Sequence, residues 1–172
     1  MSYALLIDDD ADLVSSIKEA VESRGLEITT ATSWEQGLEL FHAMAPDLVI
    51  ADYNLPGSKH GLQLLYEISR LRPSVRLVLF SAYLNDANIK EVMRLGLVDR
   101  AFRKTSPVST ARAVMDEVAE ASKRASLPTD WAAFGRAASE RSVVSAEALE
   151  RLDAYLSNSV QNGRGEEGET AR

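Results

Sequence analysis

The chain has 172 residues, a formal net charge of −7, 45% hydrophobic and 26% charged residues, and no cysteine. That is enough for one ordinary domain with a core plus an appendage, and it excludes disulfides, thiolate metal sites and cysteine nucleophiles. The stretches before and after Ala125 are both net acidic, which argues against direct DNA binding through phosphates.

Taken in chain order, "YALLI" is a short apolar run ending in acids, the pattern of a buried strand. From Asp12, "DLVSSIKEAVESRG" places Leu13, Ile17, Ala20 and Val21 at helical spacing and stops at Gly25. "LEITTA" is rich in β-branched residues and reads as a strand. Ser33 and Gln36 form a capping-box pattern for the helix "WEQGLELFHAMA", which Pro46 ends. "DLVIA" is the next strand and terminates at Asp52. The helix "GLQLLYEISRLR" is expected to bury Leu62, Leu65, Ile68 and Leu71 on one face before Pro73 breaks it. "VRLVLFSA" is a strand ending at Ser81, and Asn85 or Asp86 caps the helix "ANIKEVMRLG". "RAFRK" is a short fifth strand, and Ser106–Pro107 is an N-cap and N1 pair for a helix running to about Arg124.

Beyond Arg124 the composition changes. "ASLPTDW" reads as a linker and "DWAAFGRAASER" as a short helix, with Trp131 as an anchor for the appendage. "SAEALERLDAYLSNSV" is a clearer helix, with Leu149, Leu152 and Leu156 on one side and Ser145 as its cap. The Gly/Glu-rich end has no apolar area to bury and is expected to be disordered. The expected division is a first domain over 1–124, a helical extension over 125–161 and a tail over 162–172. No apolar run approaches the ~20 residues that span a bilayer. The start "MSYALLIDDD" lacks a basic segment followed by a long apolar one, so no signal peptide is expected and a cytoplasmic protein is.

Five strands alternating with five helices imply an α/β architecture of parallel strands joined by crossover helices, with both faces of the sheet covered. Ligands of such sheets bind at the carboxyl ends of the strands. Those ends carry Asp8–Asp9, Asp52, Ser81 and Lys104, which topology brings to one edge. The run "LLIDDDADL" is the most unusual of them. Two carboxylates about 4 Å apart repel by roughly 4 kcal/mol at an effective dielectric near 20, so the cluster needs a positive partner. Acids after a strand can also serve only to favour a helix N-terminus.

In this order, "LLIDDD", "LVIADYNLP", "LVLFSA" and "FRK" resemble the response-regulator receiver domain, the flavodoxin-like module of bacterial two-component signalling, over roughly Ser2 to Arg124. The resemblance implies a doubly wound (βα)5 sheet with strand order 2-1-3-4-5. It implies an Mg2+ site formed by Asp8, Asp9, Asp52 and the backbone carbonyl of Asn54, with Asp9 the direct ligand of the first pair. Asp52 would be the phospho-acceptor, attacking a phosphohistidine on a sensor histidine kinase or phosphotransfer protein. Lys104 and Ser81 would contact the phosphoryl oxygens, and Tyr83 and Asn54 would flank the path of the hydrolytic water. Output would pass to a downstream protein, with no membrane partner, and the C-terminal helices offer a partner-binding or dimerisation arm.

The chain departs from that pattern in three places. The loop "LPGSKHG" is one residue longer and carries His60 where an Asp is usual. Thr105, not proline, follows Lys104, and Ala101 stands where the switch aromatic is usual, with Phe102 aimed at the other face by strand alternation. Two alternatives follow. One is a receiver-shaped binding module that ignores phosphate. The other is an Mg-dependent aspartyl-phosphate phosphatase, which would need an acid where Asn54 stands. His42, His60 and Trp34 read as surface or packing residues.

Overall fold

The computed structural model describes residues 3–57, 59–125, 139 and 141–166. Its elements run β1 (Ala4–Ile7), α1 (Ala11–Glu22), β2 (Ile28–Ala31), α2 (Trp34–Met44), β3 (Leu48–Asp52), α3 (Gly61–Leu71), β4 (Arg76–Ser81), α4 (Asp86–Leu95), β5 (Arg100–Arg103), α5 (Pro107–Ala125) and α6 (Ala146–Glu166). The five strands form one parallel sheet in the order β2-β1-β3-β4-β5. Strand order reverses between β1 and β3, the place where such sheets open a crevice at their carboxyl edge.

Both faces of the sheet are covered, so β1 and β3 are continuous apolar runs without alternation. One face carries Leu6, Ile50, Val78 and Phe80 against Ile17 of α1 and Val114 of α5. The other carries Leu5, Val49, Ala51 and Leu79 against α2, α3, α4 and α6. Local signals set the boundaries. Asp10 accepts from the Leu13 N–H (3.0 Å) and caps α1. Asn85, rather than Asp86, caps α4, and Ser106 accepts from the Ser109 N–H (3.2 Å) ahead of Pro107. Ser33 caps α2 as expected, but Gln36 accepts from the Thr32 N–H instead of closing the box on Ser33.

Leu71 is a correction. It is 52% exposed, whereas Leu62, Leu64, Leu65 and Ile68 are buried. Steps of three residues fall short of a full turn by about 60° each. Leu71, three such steps from Leu62, therefore lies on the opposite side of α3.

The C-terminal helix packs in the groove between α3 and α4. Its stripe of Leu149, Leu152 and Leu156 is buried with Val144 in the core shared with α3 and α4. The stripe is thus spent inside the chain and is not a free dimerisation face. Ahead of α6, the buried Arg141 guanidinium donates to the carbonyls of Pro73 (2.7 Å) and Val75 and pairs with Asp99. These groups lie at the amino ends of β4 and β5, so α6 starts at that edge and runs toward the carboxyl edge. It continues to Glu166, five residues into the stretch expected as a tail; once a helix is anchored by packing, each further residue adds a hydrogen bond at little cost. The expected linker, the helix over 130–141 and the Trp131 anchor fall largely outside the described residues. No helix among the described residues is long and apolar enough to cross a membrane.

Candidate functional site

The parallel register brings the expected residues to one edge. β1 pairs with β3 through Ile7 and Ala51, so Asp8 and Asp52 leave neighbouring strands side by side. Asp52 is aligned with Phe80, and Ser81 follows it on β4. Lys104 leaves β5 one residue past Arg103, and its N–H donates to the Ser81 carbonyl (2.9 Å).

One carboxylate oxygen from each of Asp8, Asp9 and Asp52 lies within 4.8 Å of the others. Asp8 and Asp52 are buried and Asp9 is exposed. The Lys104 ammonium stands 2.7 Å from Asp8 and 3.1 Å from Asp52, resting over the Phe80 ring. Asp8 also accepts the Asp10 N–H (3.1 Å). The three consecutive aspartates therefore divide their work: Asp10 caps a helix, Asp8 meets the lysine, and Asp9 faces solvent beside them. Ser81 is buried, and its hydroxyl accepts the Tyr83 N–H (3.3 Å). Asn54 sits half-buried in the loop after Asp52.

The electrostatics are tense. Burial pushes the Asp52 carboxyl up to about 7, against the pull of Lys104 and with help from Asp8. Burial also works against the Lys104 charge, but Asp52 and Asp8 outweigh it and hold that pKa above its usual value. Asp52 Oδ1 is buried with no hydrogen-bond partner. An orphaned carboxylate oxygen costs about 1–3 kcal/mol or more, so one lysine does not satisfy the cluster. Several carboxylate oxygens converging with one left free suit a hard divalent cation, which prefers oxygen ligands.

Ala101 packs on the α3–α4 face, and Phe102 packs on the opposite face, its ring 5.6 Å from that of Phe80. There are no cis peptide bonds among the described residues, so the chain leaves Lys104 by a trans path. Trp34 is buried, with Lys59 over its ring, and His42 is exposed, as read from the sequence.

Sequence reasoning missed Tyr53. The residue after Asp52 is 1% exposed and reaches away from the acids into the α6 interface. Its hydroxyl lies 2.9 Å from Asp153 Oδ1 and 3.0 Å from Ser157 Oγ. Gln63 donates to the other Asp153 oxygen (3.1 Å), and the His60 ring stacks on Tyr53 at 4.8 Å. Burial and the Asp153 charge raise the Tyr53 pKa, which keeps the hydroxyl protonated as a donor. A signal existed: Asp153 interrupts the apolar stripe of α6, and a buried carboxylate needs donors.

Comparison with known proteins agrees with this arrangement. The response regulator receiver domain family matches residues 4–114. The nitrate/nitrite response regulator NarL of Escherichia coli is 30% identical over 113 residues, covering 64% of this chain and 51% of that protein. The chemotaxis protein CheY of Thermotoga maritima is 24% identical over 111 residues, covering 64% of this chain and 92% of that one. The chain thus spans about half the length of NarL and nearly all of CheY. A response regulator receiver domain protein from Clostridium thermocellum superposes with a TM-score of 0.61 at 26% identity, over 72% of this chain and 96% of that one. With its strand order, its acidic edge and a family match over well more than half its length, the chain belongs to the response regulator receiver domain family.

Proposed function

We propose that this chain is a phosphorylation-controlled receiver in which Asp52 accepts a phosphoryl group from a phosphohistidine on a sensor histidine kinase or phosphotransfer protein and signals through protein contacts. The carrying observation is Asp52 itself: a buried carboxylate at a strand end, with one oxygen paired to Lys104 and the other unpartnered. In the transfer, an Asp52 oxygen forms a bond to phosphorus as the P–N bond to the histidine breaks, and the electron pair leaves with the imidazole. Such reactions depend on alignment and charge compensation more than on proton chemistry.

Each neighbour has a role. Lys104, already poised between Asp8 and Asp52, moves onto a phosphoryl oxygen. Ser81, one residue past the register partner of Asp52, donates its hydroxyl to another. Asp8, Asp9, Asp52 and the Asn54 carbonyl are the groups that would hold Mg2+, with Asp9 its direct ligand and Asp8 acting partly through water. When bound, the ion neutralises phosphoryl charge. The chain assists the gain and loss of its own phosphoryl group and needs no separate metabolic activity.

The test is incubation with acetyl phosphate and Mg2+, read by intact mass. The expected result is a gain of one phosphoryl group in the wild type, lost with EDTA and absent from Asp52→Ala. No gain with Mg2+ present, or an equal gain in the variant, refutes the proposal; the first outcome would favour a receiver-shaped module that ignores phosphate.

A further inference from the structure

The α3–α4 groove holds a helix from the same chain, and the polar contact that seals it comes from the residue next to Asp52. Three features make Tyr53 a stiff connection. Its N–H donates to the Phe80 carbonyl (2.9 Å) and its carbonyl accepts the Gly61 N–H (2.8 Å), so strand, loop and the start of α3 are tied together. Gly61 lies so close to the Asp52 backbone that a Cβ there would stand 1.8 Å from its carbonyl oxygen, leaving no slack. The ring is then clamped by His60 on its face and by Asp153 and Ser157 at its tip.

The Asp153 carboxylate is 9% exposed and takes its hydrogen bonds here from two neutral groups, Tyr53 and Gln63. It therefore depends on their positions. A displacement of the Asp52–Asn54 backbone carries the Tyr53 hydroxyl with it and weakens the bond that keeps Asp153 buried. β5 offers no aromatic lever on this face: its residues here are Ala101, packed on the core, and the exposed Arg103, which donates to the Ala82 carbonyl.

We infer that α6 is an intramolecular occupant of a helix-binding groove between α3 and α4, held while Asp52 is free and opening about tenfold more often when Asp52 carries a phosphoryl group. The inference rests on the phospho-acceptor reading above and adds the route and the moving part. Each opening uncovers two complementary surfaces at once. One is the Leu149, Leu152 and Leu156 stripe. The other is an apolar groove with the Tyr53 hydroxyl and the Gln63 amide at its upper end, suited to an amphipathic helix with leucines at similar spacing and an acid among them.

Hydrogen exchange read by mass spectrometry on the full chain tests this, with Mg2+ alone and with Mg2+ plus acetyl phosphate, the degree of phosphorylation being followed by intact mass in the same samples. In the wild type, amides of residues 146–157 are expected to exchange about tenfold faster once phosphorylated, the weight of one hydrogen bond to a charged acceptor. Amides of β1 and β3 should stay protected. Tyr53→Phe keeps the ring and removes the hydroxyl; it should phosphorylate, yet show fast α6 exchange in both states. Ser157→Ala, at the rim of the network, should narrow the difference without abolishing it. A phosphorylated wild type whose α6 exchange is unchanged or slower overturns the inference and leaves the phospho-acceptor reading intact. A wild type that gains no phosphoryl mass overturns that reading, and this inference with it.

Discussion

Gly61→Ala is the sharpest perturbation of the candidate site, because it adds one methyl group where the backbone leaves no room. The ideal Cβ position is 1.8 Å from the Asp52 carbonyl oxygen and 2.8 Å from its carbonyl carbon. Real contacts are essentially never under 3.0 Å, so α3 or the end of β3 must retreat by more than an ångström. The obstacle is backbone, which has no rotamer to change. Overpacking of this kind costs about 1–3 kcal/mol of stability. The effect on chemistry should be larger, because a ~1 Å misplacement of a reacting group can cost about 10²-fold in rate. Urea unfolding and the rate of acetyl phosphate labelling, followed by intact mass, measure the two separately. Gly96→Ala is the control. Gly96 ends α4 with φ +75° in open space, so its substitution should cost ~1–2 kcal/mol through the left-handed backbone and leave labelling unchanged. If Gly61→Ala labels within threefold of the wild type, the tight seating of Asp52 on α3 is not what positions it.

Four further outcomes are expected. The folded pKa of Asp52 lies above its unfolded value, so its contribution to stability is complete below about pH 4 and is lost as pH rises through about 7. Without divalent cations, Asp52→Asn should therefore gain on the wild type between pH 5 and 8, by ~4 kcal/mol at most; parallel stability curves would contradict this. Glu117, buried on α5, pairs with Arg76 (2.7 Å) and Arg100 (3.6 Å), and Glu117→Ala should cost about 3–5 kcal/mol in urea unfolding by stranding Arg76. Leu156 is 1% exposed, so Leu156→Ala should cost about 2–5 kcal/mol; a loss well under 1 kcal/mol would show that α6 is not part of the cooperative core. Tyr83→Ala should shorten the lifetime of the Asp52 phosphoryl group several-fold by opening the path of water, and equal lifetimes measured by mass would dismiss that role.

Much of the sheet could be read from the chain because its evidence is local. Apolar runs such as "DLVIA" need only be buried on both faces to become strands, and Ser33, Asn85, Ser106 and Gly96 mark helix ends through their own backbone contacts. The acidic edge followed from topology, since parallel strands all end on one side. The α6 interface was less legible. A leucine stripe announces that something will cover it but not which surface, and here the cover is the chain's own α3–α4 groove. Tyr53 was overlooked because a tyrosine at a strand end looks like packing until its hydroxyl is seen to need a partner 100 residues away. Leu71 was misplaced by treating a spacing of three as a full helical turn.

The sheet has two border strands, β2 and β5, and the second carries charge at its ends. β5 is four residues long and outermost, with arginines at both ends; Arg100 is drawn to Glu117, and Arg103 donates to the Ala82 carbonyl. Cationic side chains on a short border strand discourage a neighbouring polypeptide from hydrogen-bonding alongside it. The chain can thus offer helices and loops for recognition while guarding the flank through which parallel sheets would otherwise stack into insoluble material.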